Sequence, residues 1–132
     1  MKVFINLNSN IITPNGEKDR ITHKGNGMLT QSGSTLRLSF PLSGVMQTLI
    51  LDESEPTTME LRRGADRLVF ELGAKTEGRY KTEYFTLFPE IKTHVLHFAQ
   101  KGNGLFVHLA YTLTLSGEKQ EFDMEIEVAY PN

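Results

Sequence analysis

From Leu105 to Leu115 every odd position is apolar: Leu105, Val107, Leu109, Tyr111, Leu113 and Leu115, with Phe106, His108, Ala110, Thr112 and Thr114 between them. After Ser116-Gly117 the parity shifts. Phe122, Met124, Ile126, Val128 and Tyr130 now alternate with Glu121, Asp123, Glu125, Glu127 and Ala129. A period of two on both sides of a glycine turn predicts a β-hairpin. On a helix the same apolar residues would spread around the whole circumference. The carboxylates are predicted to face water, because burying a row of them without partners costs more than a fold can supply.

The rest of the chain repeats this alternation in shorter runs. Val3, Ile5 and Leu7 alternate with Phe4, Asn6 and Asn8, and Pro14-Asn15-Gly16 reads as a turn. Ile21 to Thr30 reads as a strand interrupted by Gly25-Asn26-Gly27. Glycines inside a strand mark a bulge or a sharp bend, which a barrel needs in order to close. Ser32-Gly33-Ser34 is a turn, and Leu36, Leu38 and Phe40 form a strand that Pro41 is expected to end. Val45 to Leu51 is more continuously apolar, which predicts cover on both faces. Met59 and Leu61 lead to Gly64, and Leu68, Phe70 and Leu72 lead to Gly73. Tyr80, Thr82 and Tyr84 share one parity, Arg79, Lys81 and Glu83 the other. Ile91 to Phe98 follows Pro89, and Lys101-Gly102-Asn103-Gly104 turns the chain into the final hairpin.

These runs amount to about ten short strands with turn signals every 8–12 residues or so, the pattern of a sandwich or barrel. Closing the sheet removes exposed edges, so the expected fold is all-β: a closed or nearly closed antiparallel up-and-down barrel of about 8–10 strands. Residues 1–132 fit one such domain.

Composition narrows the chemistry more than the fold. The formal net charge is −2, which argues against nucleic-acid binding as the main task. The chain has no cysteine, so disulfides, thiolate metal sites and a cysteine nucleophile are excluded. Asn6 and Asn8 interrupt the apolar run that a signal peptide would continue, and no stretch approaches the roughly 20 apolar residues of a membrane-spanning helix. The expected location is therefore cytoplasmic, with no membrane partner.

No phosphate-binding loop, nucleophile elbow or cofactor motif is present, so no catalytic residue and no cofactor is expected. His94 and His97 lie three apart on an apparent strand and point to opposite sides, so they do not make a metal site. Successive carboxylates among Glu121, Asp123, Glu125 and Glu127 are about 6–7 Å apart on a strand, too spread for one calcium shell. Tyr80, Thr82, Tyr84 and Tyr111 share the inward parity, and hydroxyls inside a barrel can orient a small, partly apolar ligand. The competing reading is ordinary core aromatics whose hydroxyls reach backbone or water at the rim. Arg62 and Arg63, just before Gly64, could hold an anion at the mouth, or be a solvated pair at a strand end. The expected ligand-binding set is Tyr80, Thr82, Tyr84, Tyr111 and Arg62. The alternative function is a protein-interaction module with a filled barrel, using Phe4, Phe85 and Phe106 on the outer face. The oligomeric state is left open.

Arg62-Arg63-Gly64-Ala65, then Leu68, Phe70 and Gly73, then Tyr80-Lys81-Thr82-Glu83-Tyr84, resembles the YwiB-like family of small bacterial proteins. Gly104 and the strand Tyr111-Thr112-Leu113-Thr114-Leu115 are similar as well; the chain differs at Phe85, where the family tends to carry glycine. The resemblance implies a calycin-type β-barrel, related in shape to lipocalins, and no assigned reaction. The chain has no Trp, so the lipocalin Gly-x-Trp signature is absent.

Overall fold

The computed structural model describes residues 1–131. Its strands are β1 (Lys2–Ile12), β2 (Lys18–Ser32), β3 (Thr35–Leu42), β4 (Val45–Asp52), β5 (Thr58–Arg63), β6 (Asp66–Glu71), β7 (Lys75–Glu77), β8 (Tyr80–Lys81), β9 (Thr86–Leu87), β10 (Glu90–Lys101), β11 (Gly104–Leu115) and β12 (Glu118–Ala129). Ten of them form one antiparallel sheet in the order β6-β5-β4-β3-β2-β1-β12-β11-β10-β7, while β8 and β9 form a separate small hairpin. The chain runs up and down, and β1 paired with β12 joins its two ends into a nearly closed barrel. No helix among the described residues is long and apolar enough to cross a membrane.

The alternation sets the register. Leu7 lies opposite Ile126, which lies opposite Val107, and Ile5, Val128 and Leu105 form the next such row. All six are buried. Directly opposed residues share a face, so period two in the sequence becomes a continuous apolar lining. Glu121, Asp123, Glu125 and Glu127 stand on the exposed face of β12, as the parity predicts. Ser43-Gly44 and Ser116-Gly117 make tight turns with positive φ at both positions (52° and 79° in each). That is the handedness that matches the twist of paired strands.

Two features depart from the sequence-based expectation. Val45 to Leu51 is covered fully on one face only: Gln47, Leu49 and Leu51 are buried, while on the other face Met46 is exposed and Thr48 and Ile50 are half-buried. The outer face mixes Met46 and Ile50 with Thr48, whose hydroxyl bonds the Ser39 hydroxyl (3.1 Å), so an apolar run here does not mean a two-sided environment. The second is Pro41, which does not end β3, because the β2–β3 pairing stops at Ser39 opposite Met28 while Pro41 stays opposite Met46 of β4. Its missing N–H falls where one side of the strand has no partner.

The remaining seam lies between β6 and β10. It is bridged by β7, by a reciprocal backbone pair between Arg67 and Arg79 (2.9 and 2.7 Å), and by the Gly73 N–H to the Thr93 carbonyl (3.0 Å). The turns after β1, β3, β5 and β11, together with the β8–β9 hairpin, gather at one end of the barrel, called the mouth below.

Candidate functional site

Most of the interior is filled by side chains. Leu36, Leu38, Leu49, Leu51, Phe70, Ile91, Val107, Leu109 and Ile126 are fully enclosed. Across the middle, Phe70 tilts against Tyr111 (centroids 4.7 Å apart) and Tyr111 stacks on Phe122 (4.8 Å, 11° between planes). Beside these rings a chamber of about 90 Å³ remains, with Phe122 forming part of its wall. It lies on the side where β2 and β3 part beyond Met28 and Ser39, with Ile21 and Leu42 on its two lips. Its wall is mostly apolar, from Leu7, Ile11, Phe40, Leu49, Leu61, Met124 and Ile126. Three polar side chains, Ser9, Gln47 and Arg63, complete it.

Each polar residue is there by parity. Ser9 continues the inward row Val3-Ile5-Leu7 and is buried, and Gln47 stands before Leu49 and Leu51 on the inner face of β4. The Gln47 side-chain amide donates to the Val45 carbonyl (3.2 Å). Arg63 follows Met59 and Leu61 on β5. Its guanidinium lies over the Tyr80 ring, 5.8 Å from the centroid, and within 3.4 Å of the Asp66 carboxylate. The other Asp66 oxygen accepts the Lys81 N–H (2.8 Å), which ties the hairpin to the lip.

Of the expected set, the structure brings together Tyr80 and Tyr111. Burial holds the Tyr111 phenol well above its ordinary range, with Tyr80 adding to the shift and Arg63 opposing it. Tyr80 is raised too, mainly by burial, with Arg63 pulling down and Asp66 pushing up. Both phenols are therefore neutral hydroxyls at physiological pH, able to donate or accept a hydrogen bond.

The other three stand elsewhere. Tyr84 is 84% exposed in the β8–β9 loop, so its inward placement is corrected. The strand at Tyr80 is only two residues long, and parity has no meaning past its end. Thr82 closes that loop: its hydroxyl donates to the Phe85 carbonyl (2.8 Å) and accepts the Phe85 N–H (3.1 Å). Arg62 points to the outer face, where it pairs with Glu60 (3.4 Å), and Arg67 binds the same carboxylate. Partial burial pushes Glu60 up, yet the two guanidiniums outweigh it and hold the carboxyl below its usual range. The arginine at the mouth is Arg63. The inward parity of Met59 and Leu61 carried that signal.

His23 was also missed as an inward residue. It lies opposite Leu7, stacks on Phe40 (6.0 Å, 24°), and its Nε2 is buried without a hydrogen-bond partner among the described residues. Among the described residues, no group of three or more His, Asp or Glu could hold a metal ion. Phe85 is 60% and Phe4 48% exposed, but Phe85 sits at the mouth and Phe4 and Phe106 belong to the opposite half of the β1–β12–β11 wall. The three do not form one patch.

A family model described as "Domain of unknown function (DUF1934)" matches residues 5–127. No curated protein matches the chain. Among solved structures, the chain is similar to the YwiB protein from Bacillus subtilis, at 17% identity, over 99% of this chain and 94% of that one, with a TM-score of 0.77. At that identity the likeness is one of fold.

Proposed function

The chain belongs to the DUF1934 family, whose description names no activity, and we propose that it is a cytoplasmic binding module that takes the end of a small, mostly apolar molecule into the mouth of its barrel. The observation that carries this reading is the apolar chamber of about 90 Å³ with Arg63, Gln47 and Ser9 at its edge. Convergent polar groups at the rim of an apolar hollow are the usual form of a small-molecule site. Volume limits the ligand. A cavity of ~150 Å³ takes benzene, so this one takes a short alkyl or partial aryl end, with the remainder against the lip. Arg63 and the Tyr80 hydroxyl suit a carboxylate or another acceptor there.

The test uses benzoate and short alkyl carboxylates, with benzyl alcohol as the uncharged comparison, against protein carrying labelled Leu, Ile and Met methyl groups. The expected result is a saturable shift of the Leu61, Met124 and Ile126 methyls. Arg63→Gln should weaken benzoate by roughly tenfold, the scale of one charge-assisted hydrogen bond, and leave benzyl alcohol nearly unchanged. No methyl shift with any of these compounds at millimolar concentration would remove the proposal.

A second reading rests on a different observation. Tyr84, Phe85 and Phe88 are 84%, 60% and 57% exposed within one short segment at the lip, and Val45 and Met46 are exposed at the β3–β4 turn of the same end. An apolar collar of this kind suits a protein partner. Under that reading, changing Tyr84 and Phe85 to Ser abolishes partner binding while the carboxylate-induced methyl shifts are unaffected.

A further inference from the structure

The barrel wall has an unfinished edge. β10 pairs with β7 only from Glu90 to Lys92, and Thr93 is met by a single parallel bridge from Leu72. From Val95 to Lys101 its only strand partner among the described residues is β11, and no other backbone hydrogen bond reaches this segment. A bulge between Thr93 and Val95 separates the covered part from the free part. Every second residue of that stretch therefore presents its N–H and C=O sideways, as an exposed strand edge does.

The chemistry along this edge is one-sided. From Ile91 to Lys101 there is no carboxylate, whereas Lys92, His94, His97 and Lys101 are all present. Lys92 is committed to the Gly73 carbonyl (2.7 Å), but Lys101 makes no ion pair among the described residues. Beside the edge, on the outer face, runs a groove of about 460 Å³ lined by His97, Ala99, Lys101, Phe106 and Glu127. An added strand would place alternate side chains next to that groove.

We infer that the Val95–Lys101 edge of β10 receives an extended peptide segment of a partner protein, carrying acidic side chains alternating with apolar ones, as an additional strand. Backbone pairing supplies the common attraction and the side chains supply the choice of partner. A second copy of this chain fits poorly. β10 carries no carboxylate from Ile91 to Lys101, so a second β10 laid along this edge would bring no opposite charge to meet Lys101. The chain's own acidic strand, β12, is not available, because β1 and β11 already pair with it on both sides.

Three capped peptides test this: one alternating Val and Glu, one alternating Val and Lys, and the Val/Glu peptide with alternate backbone amides N-methylated. The first should shift the backbone amide signals of Val95–Lys101 and slow their hydrogen exchange. The lysine peptide should bind roughly five- to tenfold more weakly, the scale of one or two exposed charge pairs. The methylated peptide should lose binding altogether. Lys101→Glu, on a free edge, should reverse the preference between the Glu and Lys peptides with the rest of the amide spectrum unchanged. Equal binding of the methylated peptide, shifts mapping to another surface, or a dimer of the free chain with β10 amides protected would each overturn the inference.

Discussion

Tyr111 shows how a single side chain can be both structure and chemistry. Its ring sits between Phe70 and Phe122, and its hydroxyl lies near Tyr80 and Arg63. Because burial raises the phenol in the folded state, the folded protein holds that proton more tightly than the unfolded chain does. The stabilisation is complete below the ordinary value of 10.0 and is lost as pH climbs above it. The urea midpoint should therefore fall as pH rises from about 9 to about 11, and fall less steeply in Tyr111→Phe. Tyr80, shifted in the same direction, leaves a residual slope. Identical slopes in the two proteins would show that Tyr111 does not carry the effect. Arg63 illustrates the reverse case, a residue whose place follows from its neighbours' burial rather than from its own type.

At the scale of elements, β2 does the work of turning the barrel. Its first part pairs with β1 from Lys18 to Met28, and its last part pairs with β3 from Met28 to Ser32. At the handover, a Cβ on Gly27 would run into Ile5 Cδ1 and come within 2.8 Å of the Ser39 carbonyl. Gly25 differs: a Cβ there would meet only the His23 ring, at 3.3 Å. Gly27→Ala is thus expected to cost about 1–3 kcal/mol, the range for overpacking, and Gly25→Ala clearly less. Urea unfolding of both variants checks this, and equal costs would mean the close crossing is not what the glycine serves.

The same contrast explains what could be read without coordinates. In β11 and β12 the alternation runs for a dozen residues in each, long enough for period two to fix which side is dry. The bend at Gly25 and Gly27 was legible because strand glycines have few other uses. Tyr84 was not legible: parity was extended through a segment that holds strand geometry for two residues and then turns. Nor could the chamber be foreseen, since its existence depends on β2 and β3 separating: Pro41 marks a side of β3 without a partner, but says nothing of the space left behind it.

For the whole molecule, the unequal quality of the wall should show in its motions. β1, β11 and β12 are long and paired on both sides, whereas β6 and β7 are short and joined across the seam by a handful of backbone bonds. Local opening draws on regions with few such ties. Native-state amide exchange is expected to be slowest in β1, β11 and β12 and faster by orders of magnitude in β6 and β7. Uniform protection around the barrel would contradict a weak seam. The Phe70, Tyr111 and Phe122 rings and the enclosed aliphatic side chains that fill the interior with them have a further consequence of a different kind. They make the protein a blind cup instead of a tube: whatever enters must leave by the way it came, so its exchange depends on how readily one rim yields and never on a passage through to the far side.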